Sequence, residues 1–157
     1  MTIPQFTGLL LHIANALPAA RHKALEYAAQ IVEEEAKDVI GTYRYRWVEL
    51  AEATKEDRLR LGFSENEPGL RTGDMRESIT HIVQGNVAHI GSDDDKLVWF
   101  ELGTVKQPPR PVLKGAVLAK VKEIEHVIGH TMHAVLSSGK VPSSSGLPFN
   151  PHSETVL

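Results

Sequence analysis

The feature that most constrains this chain is a run of small and branched apolar residues at helical spacing. Leu25, Ala28, Ala29, Val32, Ala36, Val39 and Ile40 follow one another in steps of three and four, with Glu26, Glu33, Glu34 and Lys37 between them. Such a pattern buries one stripe of a helix and leaves the other side wet. Gly41 stands where that helix must stop. Upstream, Phe6, Leu9, Leu10 and Ile13 keep the same spacing from about Pro4 to Ala16, and Pro18 punctuates the two segments. A second long amphipathic pattern lies toward the far end of the chain. From about Val112 to Leu136, Leu113, Val117, Val121, Ile124, Ile128 and Val135 project onto one face.

Between the long helices the signals are shorter. Thr54 is placed to cap a short helix, with Asp57 at its third position and Gly62 just past its end. Ser64 to Gly69 is turn material. Ile79–Val83 and Val87–Ile90 alternate around Gly85-Asn86, which predicts a β-hairpin with one buried face. Asp93-Asp94-Asp95 reads as a solvated acidic loop, followed by a short apolar strand over Leu97–Leu102. Pro108, Pro109 and Pro111 then impose a stiff approach to the last helix. The expected fold is α+β: two N-terminal helices, a small antiparallel sheet built on the hairpin, and a long C-terminal helix packed on the sheet. Residues 1–136 form one domain in this reading. Residues 137–157, rich in Ser, Pro and Gly, form a flexible tail that a neighbouring subunit could order.

Composition sets limits on function. The chain has 157 residues, enough for one sizeable core, and a net charge of −3, which does not suit a general polyanion binder. It contains no cysteine, so disulfides, thiol catalysis and thiolate metal sites are excluded. The N-terminus lacks a basic leader segment, and no apolar run approaches the roughly 18–20 residues of a membrane span. A cytoplasmic setting without membrane contact is the expectation.

Enzyme signatures are missing. The chain has no nucleophile elbow, no phosphate-binding loop, no dinucleotide fingerprint and no zinc-protease motif. His126, His130 and His133 share one side of the last helix, a spacing that could hold zinc or nickel. They fall opposite the apolar face and have no completing carboxylate, so a polar or partner-facing row is the reading adopted. The Asp93–Asp95 run lacks the alternation of a calcium loop. The Glu33–Glu35 run reads as a solvated face. No catalytic, cofactor-binding or metal-binding residue is assigned.

One segment could face a partner. Tyr43, Arg44, Tyr45, Arg46 and Trp47 interleave aromatics with arginines, and Arg58, Arg60, Arg71 and Arg76 follow. Aromatics stack on bases and arginines grip phosphate, so a nucleic-acid-binding or regulatory protein is one reading. Arginines and aromatics are also enriched at protein interfaces, and the negative net charge favours that alternative.

From Trp47 to Leu113 the motifs resemble, in order and spacing, the neck or tail-completion family of long-tailed bacteriophages, prophages and gene-transfer agents. Trp47-Val48-Glu49-Leu50 with Thr54, Arg58 and Gly62 is similar to the family's opening stretch. Pro68-Gly69-Leu70-Arg71-Thr72-Gly73-Asp74-Met75-Arg76-Glu77-Ser78-Ile79 is similar to its central block. The hairpin ending in Ile90-Gly91, the element Phe100-Glu101-Leu102-Gly103-Thr104, and Pro109-Arg110-Pro111-Val112-Leu113 complete the order. Gly69 and Met75 stand where Leu is common, and Trp99-Phe100 replaces a Tyr-containing pair. The resemblance implies a virion structural protein at the head–tail junction, made in the host cytoplasm and acting without cofactor. It implies a homo-oligomeric ring of six copies that completes the tail and meets the head connector or stopper and the tail terminator or tail-tube protein. DNA would pass through such a ring without sequence-specific binding. A closed ring needs two complementary patches per subunit. Arg71, Arg76, Glu101 and the Tyr43–Trp47 segment are the residues expected at, or supporting, those patches, with Glu101 meeting Arg71, Arg76 or Arg110.

Overall fold

The computed structural model describes residues 2–143. The elements run α1 (Ile3–Val39), α2 (Glu52–Arg60), α3 (Asp74–Glu77), β1 (Ile79–Gln84), β2 (Val87–Ser92), α4 (Asp95–Leu102) and α5 (Leu113–Ser138). The fold is α+β, with a two-stranded antiparallel sheet and a long C-terminal helix. Most of the expected Ser/Pro/Gly-rich tail lies outside the described residues. No helix among the described residues is long and apolar enough to cross a membrane.

The two expected N-terminal segments are joined into one helix, with Pro18 inside it. Proline removes one backbone donor and crowds the carbonyl four residues back. Here it is exposed, as is Ala14, whose carbonyl it frees, so water can reach that carbonyl. The helix ends as the sequence predicts. Gly41 takes φ +91° and donates its N–H to Pro68 O at 2.8 Å. The short helix α2 is capped by Ala51 without a side-chain bond, so Thr54 lies within its first turn and does not cap it. Its end matches expectation: Gly62 has φ +79° and donates to Leu59 O, while Phe63 N–H reaches Arg58 O, which closes the last turn in a Schellman arrangement.

The strands β1 and β2 pair around Gly85-Asn86. Ile79, His81 and Val83 point toward the more covered face, while Thr80, Ile82 and Gln84 are exposed. The stretch after them is a helix, not a strand. Asp94 Oδ1 accepts the Lys96 N–H at 2.9 Å and caps α4, so the acidic run is a helix start. Six apolar-rich residues suit either structure by pattern alone, and the aspartate ahead of them decides for the helix.

The chain packs as two compact units. Among the described residues, the first comprises 2–31, Ile82–His89 and 121–143; the second comprises Val32–His81 and Ile90–Lys120. In the first, the α1 stripe Ala20, Ala24, Ala28, Ala29 and Ile31 is buried, as are Val127, Thr131 and Val135 of α5. Thr131 is tolerated there because its hydroxyl donates to Val127 O at 2.8 Å. In the second, Val32, Ala36, Val39, Ile40, Trp47, Met75, Ile79, Leu97, Val112 and Ala116 are buried. The face α5 buries is therefore rotated from the expected one. Ala116 is enclosed while Val117 and Val121 remain exposed.

Candidate functional site

The motif-bearing stretches outside the hairpin converge in the second unit. Glu101 is the centre of that convergence. Its Oε2 accepts the N–H groups of Val112 at 2.6 Å and Leu113 at 2.9 Å, and its Oε1 accepts that of Lys114 at 2.9 Å. A helix start leaves its first N–H groups without intrahelical partners, and a carboxylate there also meets the positive end of the helix dipole. Glu101 thus caps α5 from the end of α4; the expected arginine partner is corrected to three backbone amides. Nearby, Gly103 has φ +75°, and a Cβ there would lie 2.7 Å from Pro109 N. That close approach lets the chain double back after α4.

The arginines divide by burial. Arg58 and Arg110 are only 4% and 3% exposed. Arg58 donates from Nε to Ser64 O and from Nη2 to Leu70 O, both at 2.6 Å. Arg110 donates from Nε and Nη2 to Val48 O, and its guanidinium lies 5.8 Å from the Phe100 ring centroid. Among the described residues, no carboxylate lies within ion-pair distance of either; Glu67 acts on Arg58 from farther away. Burial pulls both guanidiniums below the usual arginine range, and repulsion from Arg71 adds to the effect on Arg58. Arg71 is more open, pairing with Asp57 at 3.2 Å and lying over Phe63. Arg76 is part-exposed and touches its neighbour Glu77.

The Tyr43–Trp47 segment turns inward. Tyr43 donates its hydroxyl proton to Asn66 Oδ1 and accepts from Leu50 N–H. Tyr45 donates to Glu35 Oε1 at 2.7 Å and crosses Trp47 edge-on at 6.0 Å between centroids. Burial first, then this bond to a carboxylate, raise the Tyr45 pKa well above the usual phenol range. Gly115 admits that ring, since a Cβ there would fall 2.4 Å from Tyr45 Cε2. Trp47 is buried, with no partner for its indole N–H. Arg46, at φ +55°, and Arg44 remain exposed, with Arg44 reaching Glu35 at 3.4 Å.

Glu35 is itself a correction to the solvated-face reading of Glu33–Glu35. It is buried and gathers Tyr45, Arg44 and Lys120. Glu33 is part-buried between Lys37 and His81. Burial works to raise its pKa, but the bonds from Lys37 and His81 outweigh it and the net shift is downward.

Arg58, Arg71 and Arg110 open onto a cleft of about 490 Å³, also lined by Leu50, Met75, Lys96, Trp99, Phe100 and Gln107. Its lining carries four cationic side chains and one carboxylate, Asp74. The Gln107 amide nitrogen is buried there without a hydrogen-bond partner. Of the residues singled out from the sequence as patch-forming, Arg71 lines this cleft. Glu101 and Tyr43–Trp47 support the unit that carries it, and Arg76 stays on the surface. Trp99, Gln107 and the buried role of Arg110 had no signal in the periodicity.

Outward-facing apolar side chains are also prominent. Val98, Trp99 and Leu102 lie three and four residues apart on α4 and are 53%, 54% and 73% exposed, and Val105 follows fully exposed. On α5, Val117, Leu118 and Val121 share a face and are exposed. Near the start of α1, Ile3, Phe6, Leu10 and Leu11 are exposed as well. The histidine row does not converge. His126 and His133 are exposed, His130 is part-buried with an unpartnered Nδ1, and no cluster among the described residues is arranged to hold a metal ion. Comparison with protein families, with characterised proteins and with solved structures finds no match to this chain.

Proposed function

We propose that the chain is a virion structural protein of the head–tail junction, acting as a subunit of a ring that completes the tail and joins it to the head connector. The observation that carries this reading is the ordered series of motifs from Trp47 to Leu113, most of which, residues 47–81 and 90–113, lies in one compact unit. Exposed apolar faces on α4 and α5 support it further. Soluble monomers seldom leave such faces uncovered, and a subunit needs surfaces to offer its neighbours. On this reading the protein works by presenting surfaces, and its copies meet head to tail around a channel through which DNA passes.

The nucleic-acid alternative draws no support from the Tyr43–Trp47 segment. Its three rings are held by internal hydrogen bonds, by packing or by burial, and stacking on bases would require them to be free. Labelling of purified particles with an antibody to this chain tests the proposal. Label confined to the head–tail junction is expected. Label on the capsid shell or the tail fibres, or no label on particles, would overturn it.

A further inference from the structure

The cleft in the second unit is lined by four cations, Arg58, Arg71, Lys96 and Arg110, against the one carboxylate of Asp74, so its lining carries net positive charge. Two guanidiniums lie at its wall, buried yet matched only by neutral carbonyl oxygens. Taking a charge out of water is costly unless an opposite charge joins it. The interactions that offset the cost here, carbonyl bonds and the Phe100 ring face, leave the net positive charge in place. Two further cations, Arg71 and Lys96, stand at the exposed rim, where Asp57 and Asp94 only partly occupy them. The buried Gln107 amide adds an uncharged donor with no acceptor. Cationic groups therefore outnumber anionic ones along the lining, four to the single carboxylate of Asp74.

The rest of the lining says what kind of anion fits. Leu50, Met75, Phe100 and Trp99 give the cleft an apolar side, and Trp99 remains half-exposed. A free inorganic anion would leave that surface bare. A nucleic-acid strand would need a basic track and free stacking platforms, whereas this is a single cleft of about 490 Å³ on a chain of net charge −3. A peptide segment that alternates carboxylates with large apolar side chains satisfies both halves. Its carboxylates would meet the arginines and Lys96, its backbone carbonyl the Gln107 amide, and its apolar side chain the Trp99 and Phe100 rings.

We infer that this cleft is a docking socket for an acidic, apolar-flanked peptide segment of a protein partner. The inference stands on the cleft's own geometry and goes beyond the ring reading, so particle labelling and peptide binding can succeed or fail independently.

The test uses the full chain and a fluorescein-labelled peptide of sequence Gly-Glu-Leu-Glu-Phe-Gly, followed by fluorescence anisotropy at low salt. A counterpart with Gln for both Glu residues and a labelled oligothymidylate are titrated in parallel. The acidic peptide should bind saturably and at least about fivefold more tightly than its Gln counterpart, weakening as salt rises. The double variant Arg71→Gln/Lys96→Gln, altered at exposed positions only, should keep its circular dichroism spectrum and bind about fivefold more weakly. Equal binding of both peptides, no binding of either, unchanged binding by the folded double variant, or tighter binding of oligothymidylate would each overturn the inference.

Discussion

Replacing Glu101 with alanine removes a single carboxylate and strands three amides. The Val112 residue is fully buried, so its N–H has no route to water and bears the largest share of the loss. A hydrogen bond to a charged group is worth about 1.5–3 kcal/mol when broken on one side. Leu113 is part-exposed and Lys114 exposed, so water recovers much of their two bonds. The lost interaction with the helix dipole adds about 0.5 kcal/mol. The sum comes to about 3 kcal/mol. With a urea dependence of about 2 kcal/mol per M, the unfolding midpoint should fall by about 1.5 M. Glu101→Gln keeps one acceptor oxygen and should lose about half as much. Urea unfolding followed by circular dichroism measures both, and amide hydrogen exchange should accelerate first at Val112 and Leu113. The reasoning fails if Glu101→Ala costs less than about 1 kcal/mol. It fails equally if Arg71→Ala reproduces the loss, because that would restore the arginine pairing the geometry replaces.

Three further outcomes follow from named contacts. Gly103→Ala meets backbone atoms at 2.7 Å and 2.9 Å at a positive φ, whereas Gly62→Ala meets nothing within 4 Å. The second should cost about 1 kcal/mol from backbone strain alone and the first clearly more, as thermal melts would rank them. Glu33 has a depressed pKa, so its stabilisation is present above its ordinary value of 4.5 and is lost as pH falls through the lower folded value. The melting-temperature gap between wild type and Glu33→Gln should therefore be constant near neutrality and close in acid; a gap that widened as pH fell would contradict this. The double variant Val98→Asp/Leu102→Asp alters exposed α4 positions, so it should melt within about 1 kcal/mol of wild type. If that face joins subunits, particles assembled with it should separate into heads and tails; normal joining would remove α4 from the contact.

Local signals in the sequence carried well where one segment decided its own conformation. Gly41 and Gly62 marked helix ends because only a positive φ closes those turns, and the Ile79–Ile90 alternation named its own hairpin. Legibility ended where the deciding partner was remote. Glu35 looked solvated because Tyr45, Arg44 and Lys120 reach it from other segments. Glu101 looks like an ion-pair residue because periodicity carries no trace of a helix start twelve residues on. The α5 face was misread for a packing reason: the pattern ranks Val117 above Ala116, yet the Tyr45 ring lies against Gly115 and favours the side with the smallest residues. Pro18 suggests a boundary because proline usually is one, yet its own exposure and that of Ala14 make it tolerable inside the helix.

The cleft was the least legible feature. Arg58, Arg71 and Arg110 are visible as arginines, but their convergence depends on the loop around Pro68, the α4 helix and the Pro109–Pro111 stretch folding together. That unpaired donors remain after folding is a property of the assembled unit alone.

We propose that this chain joins heads to tails. The most direct test is electron microscopy of particles produced without the protein, before and after adding back the purified chain. Filled heads and complete tails lying apart are expected without the chain, and joined virions once it is supplied. Intact virions in its absence would contradict the proposal.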